Sequence, residues 1–149
     1  MTTPTVPRCA IIDVTDRAGV RRFTDFRRRL YDGDPGYSTT LEFAVENVLN
    51  RSTDFLRSCH LRLVLVTRGD EVVAQCVLVH DPALPILQVA FFEALPDQGD
   101  AVARLLDAAK EEARQRGLDR IVVGLNAHLS IGVGILVDGF QRASFDSAW

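Results

Sequence analysis

Ile86-Leu-Gln-Val-Ala-Phe-Phe-Glu-Ala94 opens the stretch of sequence that decides the fold, and Asp119-Arg-Ile-Val-Val-Gly-Leu-Asn126 closes it. Both segments are rich in the β-branched and aromatic residues that are typical of strands. Between them, apolar residues recur at helical spacing while charged residues take the other side, which predicts a helix ending near Gly117. A strand, a crossover helix and a second strand form a βαβ unit, whose two strands are most simply parallel.

The first fifty residues predict one strand and two helices. Cys9-Ala-Ile-Ile-Asp-Val14 is an apolar, β-branched run, as expected of a strand. Thr15 or Asp16 can cap the helix that follows, and its apolar spacing continues to about Tyr31. A second amphipathic helix comes after a Gly- and Pro-containing turn and ends near Asn50.

The middle of the chain predicts a hairpin. His60-Leu-Arg-Leu-Val-Leu-Val-Thr67 and Glu71-Val-Val-Ala-Gln-Cys-Val-Leu-Val79 flank Arg68-Gly69-Asp70. The second run is apolar on both faces, which is typical of a central strand covered by helices on both sides. With a last short helix expected around residues 131–137, the pattern predicts one α/β domain over residues 1–149, with a mixed central sheet and helices on both faces.

Composition narrows the class of protein. A chain of 149 residues, 47% hydrophobic and 25% charged, suits a single folded domain. Its net charge of -3 argues against a nucleic-acid binder that uses a broad basic surface. No apolar run approaches the roughly 20 residues that span a bilayer, and the N-terminus lacks a signal pattern. We therefore expect a cytoplasmic protein without nucleic-acid or membrane partners.

The cysteines and histidines give no pattern of a disulfide or metal site. Three widely spaced cysteines are more simply buried thiols than a disulfide framework. The three histidines lack the spacing of zinc ligands, so no metal is expected.

The order of elements resembles the GNAT superfamily of acyl-CoA-dependent N-acetyltransferases. Its core runs through one strand, two helices, three strands, a helix, a strand and a last helix, followed by a closing pair of strands. Leu30-Tyr-Asp-Gly-Asp-Pro-Gly-Tyr37, Asn126 and Gly134-Ile-Leu-Val-Asp-Gly-Phe140 are similar to the N-terminal half of an uncharacterised two-half GNAT-like subfamily. Because few residues follow Phe140, the resemblance implies a truncated closing pair and an open sheet edge beside the last strand. It implies a homodimer through that edge.

The resemblance also implies a site for acetyl-CoA or another acyl-CoA. The turn before the helix that ends near Gly117 would hold the pyrophosphate on backbone amides and the helix N-terminus. Either Gly99 and Ala101 take the family's small positions, or Gln98 leads the motif. Asp97 and Asp100 there favour ordinary helix capping and repel phosphate, whereas Arg104 could offset them. The implied cofactor contacts are Phe92, Gln98, Gly99, Ala101, Arg104 and Asn126.

For catalysis, the resemblance implies Glu93 as the general base. Strand alternation predicts Glu93 on the face of Leu87, Val89 and Phe91, where burial would raise its pKa. The family's usual tyrosine acid has no counterpart beyond Tyr37, which leaves His128 and Ser130 as substitutes or as simple loop residues.

The sequence and the resemblance leave two alternative functions open. One is an N-acyltransferase acting on a small amine, in which direct attack on the thioester needs no nucleophilic residue. The other is a non-acetylating, homodimeric GNAT-like scaffold or binding protein, recruited to other chemistry on a small or carrier-bound molecule.

Overall fold

The computed structural model of the chain describes residues 6–34, 39–128 and 131. This part of the chain forms five strands and four helices. Their order is β1 (Arg8–Asp13), α1 (Arg17–Leu30), α2 (Thr39–Leu49), α3 (Asp54–Ser58), β2 (His60–Arg68), β3 (Glu71–His80), β4 (Ile86–Ala94), α4 (Gly99–Gln115) and β5 (Arg120–Val123).

The strands form one mixed sheet in the order β1-β2-β3-β4-β5. Neighbours from β1 to β4 are antiparallel, and β4 pairs with β5 in parallel, from Ile86 opposite Arg120 to Val89 opposite Val123. The predicted hairpin and the predicted parallel βαβ unit are therefore confirmed. Residues 72–79 of β3 are all buried, as expected for the central strand.

The two faces of the sheet carry separate cores. On one face, α1, α2 and α3 pack with residues such as Phe23, Phe26 and Val48 against the sheet. On the other, α4 packs with Leu105 and its alanines against the sheet. The predicted α/β sheet with helices on both faces is confirmed.

Helix α1 begins where the sequence predicts. The Asp16 side chain accepts a hydrogen bond from the Ala18 N–H and caps the helix. Gly19 lets the helix approach β1 closely, because a Cβ at this position would lie 2.7 Å from Ile12 Cγ2.

An additional helix and a shorter last strand are the main differences from the prediction. Helix α3 was not predicted, since a single turn of five residues has too little periodicity to reveal it. Strand β5 ends at Val123 instead of Asn126, because Gly124 turns the backbone with a φ of 88°. The predicted helix over 131–137 and the closing strands fall mostly or wholly outside the described residues.

The cysteines are free thiols, with Cys59 and Cys76 buried and Cys9 half-buried. Among the described residues, no group of three or more His, Cys, Asp or Glu side chains could hold a metal ion. No helix in this part of the chain has both the length and the apolar character needed to cross a membrane.

Candidate active site

A β-bulge interrupts β4 in the middle of the sheet. Ala90 pairs with Val77 and Glu93 pairs with Gln75, so three steps along β4 match two steps along β3. Phe91 in the bulge has a φ of 48°, in the left-handed region that bulky residues rarely adopt. The extra residue bends the strand at this point.

Strands β4 and β5 part at the same place. Their register ends with Val89 opposite Val123, and just after it the Gly124 N–H donates to the Val89 carbonyl at 3.2 Å. Beyond it, the Phe91 N–H donates to Asn126 Oδ1 at 2.9 Å, so a side chain replaces the backbone acceptor that a longer β5 would supply. Asn126 is 6% exposed. The Asn126 side chain therefore bridges the gap between the two strands.

Asn126→Ala should lower the free energy of unfolding by about 1 to 3 kcal/mol, because it leaves the buried Phe91 N–H without an acceptor. Urea denaturation measures this loss. Asn50→Ala at the exposed end of α2 is the matched control and should change stability little. Equal stability of the two variants would contradict the bridging role.

Glu93 lies in a buried charged network beneath α1. Its Oε1 forms an ion pair with Arg27 Nη1, and its Oε2 accepts a hydrogen bond from Gln75 Nε2 at 2.9 Å. Gln75 Nε2 also donates to the Phe23 carbonyl at 3.1 Å, and the Tyr31 side chain hydrogen-bonds to Glu93. The network fixes the carboxylate between the sheet and the helix.

Burial raises the pKa of Glu93, while Arg27, Gln75 and Tyr31 partly oppose that rise. The predicted direction of the shift is therefore confirmed. The predicted face is wrong in part: Leu87 and Val89 pack on the α4 side, whereas Glu93 and Phe91 lie on the α1 side. The bulge is the reason, because its extra residue reverses the alternation of the strand.

The N-terminus of α4 is occupied by protein side chains. Asp100 Oδ1 accepts from the Ala101 N–H at 2.9 Å, so this carboxylate already engages one of the free N–H groups of the first turn. Gln98 precedes the helix without capping it, and its Oε1 instead accepts from Arg68. Arg68 also pairs with Asp100 at 2.8 Å. This hydrogen bond lowers the pKa of the Asp100 carboxyl.

The remaining predicted cofactor residues are spread over α4 and β4. Gly99 is exposed at the first position of α4. Ala101, in the same turn, is fully buried between α4 and the sheet. Arg104 is exposed, and its charge lowers the pKa of the Cys9 thiol against the larger effect of burial. Phe92 is half-buried and packs on the α4 side of the sheet.

His128 is exposed in the turn after β5. Its ring packs edge-on against Phe55 of α3, with centroids 5.6 Å apart, and its backbone N–H donates to the Asn126 backbone carbonyl. Ser130 lies outside the described residues. Catalytic roles for both residues stay predictions.

Sequence reasoning missed Arg27, Gln75 and Arg68. Arg27 follows Phe26 on α1, and arginine is usually a surface residue. Arg27 is nevertheless only 2% exposed. Gln75 is a lone polar residue in the apolar run of β3, and a polar residue in a central strand is the signal that could have indicated a buried partner. Arg68 falls in the predicted turn of the hairpin, where nothing local indicates its contact with α4.

No family model matches the chain, and no curated protein matches it. Acetyltransferases are among the solved structures of similar fold. An aminoglycoside acetyltransferase from an uncultured soil metagenomic sample, in complex with sisomicin, has a TM-score of 0.54 at 7% identity, over 79% of this chain and 76% of that one. The tandem GNAT protein from the clavulanic acid biosynthesis pathway has a TM-score of 0.54 at 19% identity, over 78% of this chain and 36% of that one.

The chain has the GNAT fold. A further protein of similar fold, the aminoglycoside N-acetyltransferase AAC(6')-Iy in complex with CoA, has a TM-score of 0.56 at 12% identity, over 96% of this chain and 99% of that one. At these identities the likeness establishes the GNAT fold. The chain spans about a third of the tandem protein.

Proposed function

We propose that this chain is an acyl-CoA-dependent N-acyltransferase that acts on a small amine. The parting of β4 and β5 beside the buried Glu93 carries the proposal. Where paired strands separate, a ligand can enter between them, and a carboxyl with a raised pKa suits proton abstraction near neutral pH. The solved acetyltransferases of the same fold support the reaction class by analogy.

The residues around the α4 N-terminus fit the pyrophosphate of CoA if the Asp100 side chain moves away from the helix. The N-terminal amides of α4 and the Arg68 guanidinium favour an anion there, but the Asp100 carboxylate takes that position. Because the Asp100 side chain is 57% exposed, it can turn toward solvent and leave Arg68 to the phosphates. Bound acyl-CoA would supply the activated thioester that an amine attacks.

Glu93 retains the capacity to take a proton. An ionised carboxylate has about four acceptor sites, and Arg27, Gln75 and Tyr31 use three of them. Arg27 holds the carboxylate in place while a proton leaves the substrate ammonium for Glu93. The nearby hydrophobic side chains exclude water from this carboxyl, which keeps its pKa high.

Calorimetric titration with acetyl-CoA and with free CoA tests the proposal, and micromolar binding is expected. Asp100→Asn should tighten CoA binding by roughly two- to fivefold, because it removes a carboxylate from the helix N-terminus. Asp107→Asn is the matched control, since Asp107 is also an exposed aspartate of α4 with a basic partner, Lys110, but lies two turns further along the helix.

The second candidate is a non-acetylating, homodimeric GNAT-like scaffold or binding protein. The ion pair that engages Glu93 and the carboxylate at the start of α4 both favour it. Absence of heat with either titrant, in the native chain and in Asp100→Asn, would leave this candidate ahead. The homodimer stays a prediction, supported by the exposed Val122 and Val123 on the edge strand β5.

A further inference from the structure

The C-terminal end of α1 brings a tyrosine to the buried Glu93 carboxyl. Tyr31 caps the helix, and its backbone N–H donates to the Arg27 carbonyl. The Tyr31 side chain hydrogen-bonds to Glu93, and the centre of its ring lies 5.8 Å from the guanidinium carbon of Arg27. Tyr31 therefore contacts both partners of the buried ion pair, the carboxylate through its hydroxyl and the guanidinium through its ring.

The four residues of this network differ in exposure. Arg27, Gln75 and Glu93 are buried, whereas Tyr31 is half-buried. A carboxyl that acts as a base has to exchange its proton with a substrate or with solvent, and enclosed groups do so through a neighbouring group that carries protons. Tyr31 is the member of the network that reaches the surface.

The hydroxyl of Tyr31 also differs chemically from the other groups that act on Glu93. Within the described part of the chain, Arg27 and Gln75 contact the carboxylate through N–H groups, which donate hydrogen bonds but do not lose their protons. A phenol hydroxyl both donates and accepts, so its oxygen can take up one proton while its own proton moves to a neighbour. Tyr31 is thus suited to pass a proton on.

We propose that the Tyr31 hydroxyl relays protons between Glu93 and the outside of its buried network. The catalytic part of this role rests on the acyltransferase proposed above, whereas the proton path itself does not. During catalysis, the Tyr31 oxygen takes a proton from the substrate ammonium while the hydroxyl proton of Tyr31 passes to Glu93. One N–H bond breaks, the carboxyl gains an O–H bond, and the tyrosine is unchanged. The same path in reverse returns the proton to solvent.

Tyr31→Phe tests the path without any acyl transfer, because it removes one oxygen and keeps the ring. Carbon-13 NMR titration of the Glu93 carboxyl in the full chain should give a pKa higher than in the native chain, since a donor to the carboxylate is lost. Broadening of this resonance near its midpoint should show that exchange of the carboxyl proton slows by at least about tenfold.

Thr24→Val is the matched control, because it also removes one hydroxyl from α1. The Thr24 hydroxyl donates to the Val20 carbonyl at 3.0 Å, within the helix. The pKa of Glu93 and the exchange rate of its proton should therefore match the native values. A raised pKa in Tyr31→Phe with an unchanged exchange rate would overturn the relay and leave only a hydrogen bond.

Acetyl transfer separates a relay from an effect on the pKa of Glu93 alone. The acceptors are putrescine, lysine and glucosamine with acetyl-CoA as donor, and the best of the three is used for the pH profile of kcat. An effect on the pKa alone would move the acidic limb to higher pH and keep the plateau, where Glu93 is deprotonated in both proteins. The relay predicts a plateau for Tyr31→Phe that is lower by roughly 10²-fold.

The two measurements distinguish failure of the relay from failure of the enzyme. An unchanged plateau in Tyr31→Phe would overturn the relay and leave the acyltransferase in place. If the native chain acetylates none of the three amines, the acyltransferase loses its support, and the NMR exchange rate alone decides whether Tyr31 carries protons to Glu93.

Discussion

Arg27→Met should lower the free energy of unfolding by about 3 to 5 kcal/mol, because removing one partner of a buried ion pair leaves the other charge uncompensated. The side chains of Arg27 and Glu93 are 3% and 4% exposed, so water cannot replace the lost partner. Urea denaturation of the variant measures the effect.

A second change should restore most of that stability. Arg27→Met combined with Glu93→Gln removes both charges and keeps an oxygen that can accept from Gln75. Arg28→Met is the control on the same helix, and its exposed side chain predicts a change within about 0.5 kcal/mol. If the double variant were as unstable as Arg27→Met alone, the ion pair would not be the source of the loss.

Glu93→Gln should reduce the rate of acyl transfer by about 10²- to 10⁴-fold, the usual contribution of a general base. A base acts when it is deprotonated, and burial raises the pKa of Glu93 above its ordinary value of 4.5. Activity of the native chain should therefore fall as the pH decreases through a value higher than 4.5. The pH profile of kcat/KM for the native chain and the variant measures both effects.

Glu112→Gln provides the matched control for this experiment. Glu112 is 6% exposed and pairs with Arg116, so it shares the burial and the arginine partner of Glu93, but it lies on α4 across the sheet. Its substitution should leave the rate per folded molecule and the acidic limb of the profile unchanged. A rate for Glu93→Gln equal to that of Glu112→Gln would remove Glu93 from catalysis.

The sequence predicts the sheet well because its signals are periodic and local. The β-branched run of β3 and the spacing of Leu105 and Ala109 in α4 are each sufficient to assign an element and its buried face. Strand β4 was also predicted with its correct ends, Ile86 and Ala94. These elements place the candidate site at the junction of β4 and β5.

The contacts within the site depend on the tertiary structure. Arg27 and Glu93 are 66 positions apart in the chain, and Arg68 and Asp100 are 32 apart, so no local pattern indicates either pair. The bulge at Phe91 is equally hidden, because an extra residue in an apolar strand leaves its composition unchanged. The side of the sheet that Glu93 faces could therefore not be read from alternation alone.

The bulge of β4 has a consequence for comparing this chain with others. Up to Ala90, even-numbered residues point toward α1; from Phe91 onward, odd-numbered residues do. A protein with the same catalytic arrangement but a straight strand would therefore carry its carboxylate one position earlier, and an alignment without a gap here would match Glu93 to a side chain on the opposite surface. Superposition of backbones, and not sequence identity, is the appropriate way to find functional counterparts of this residue.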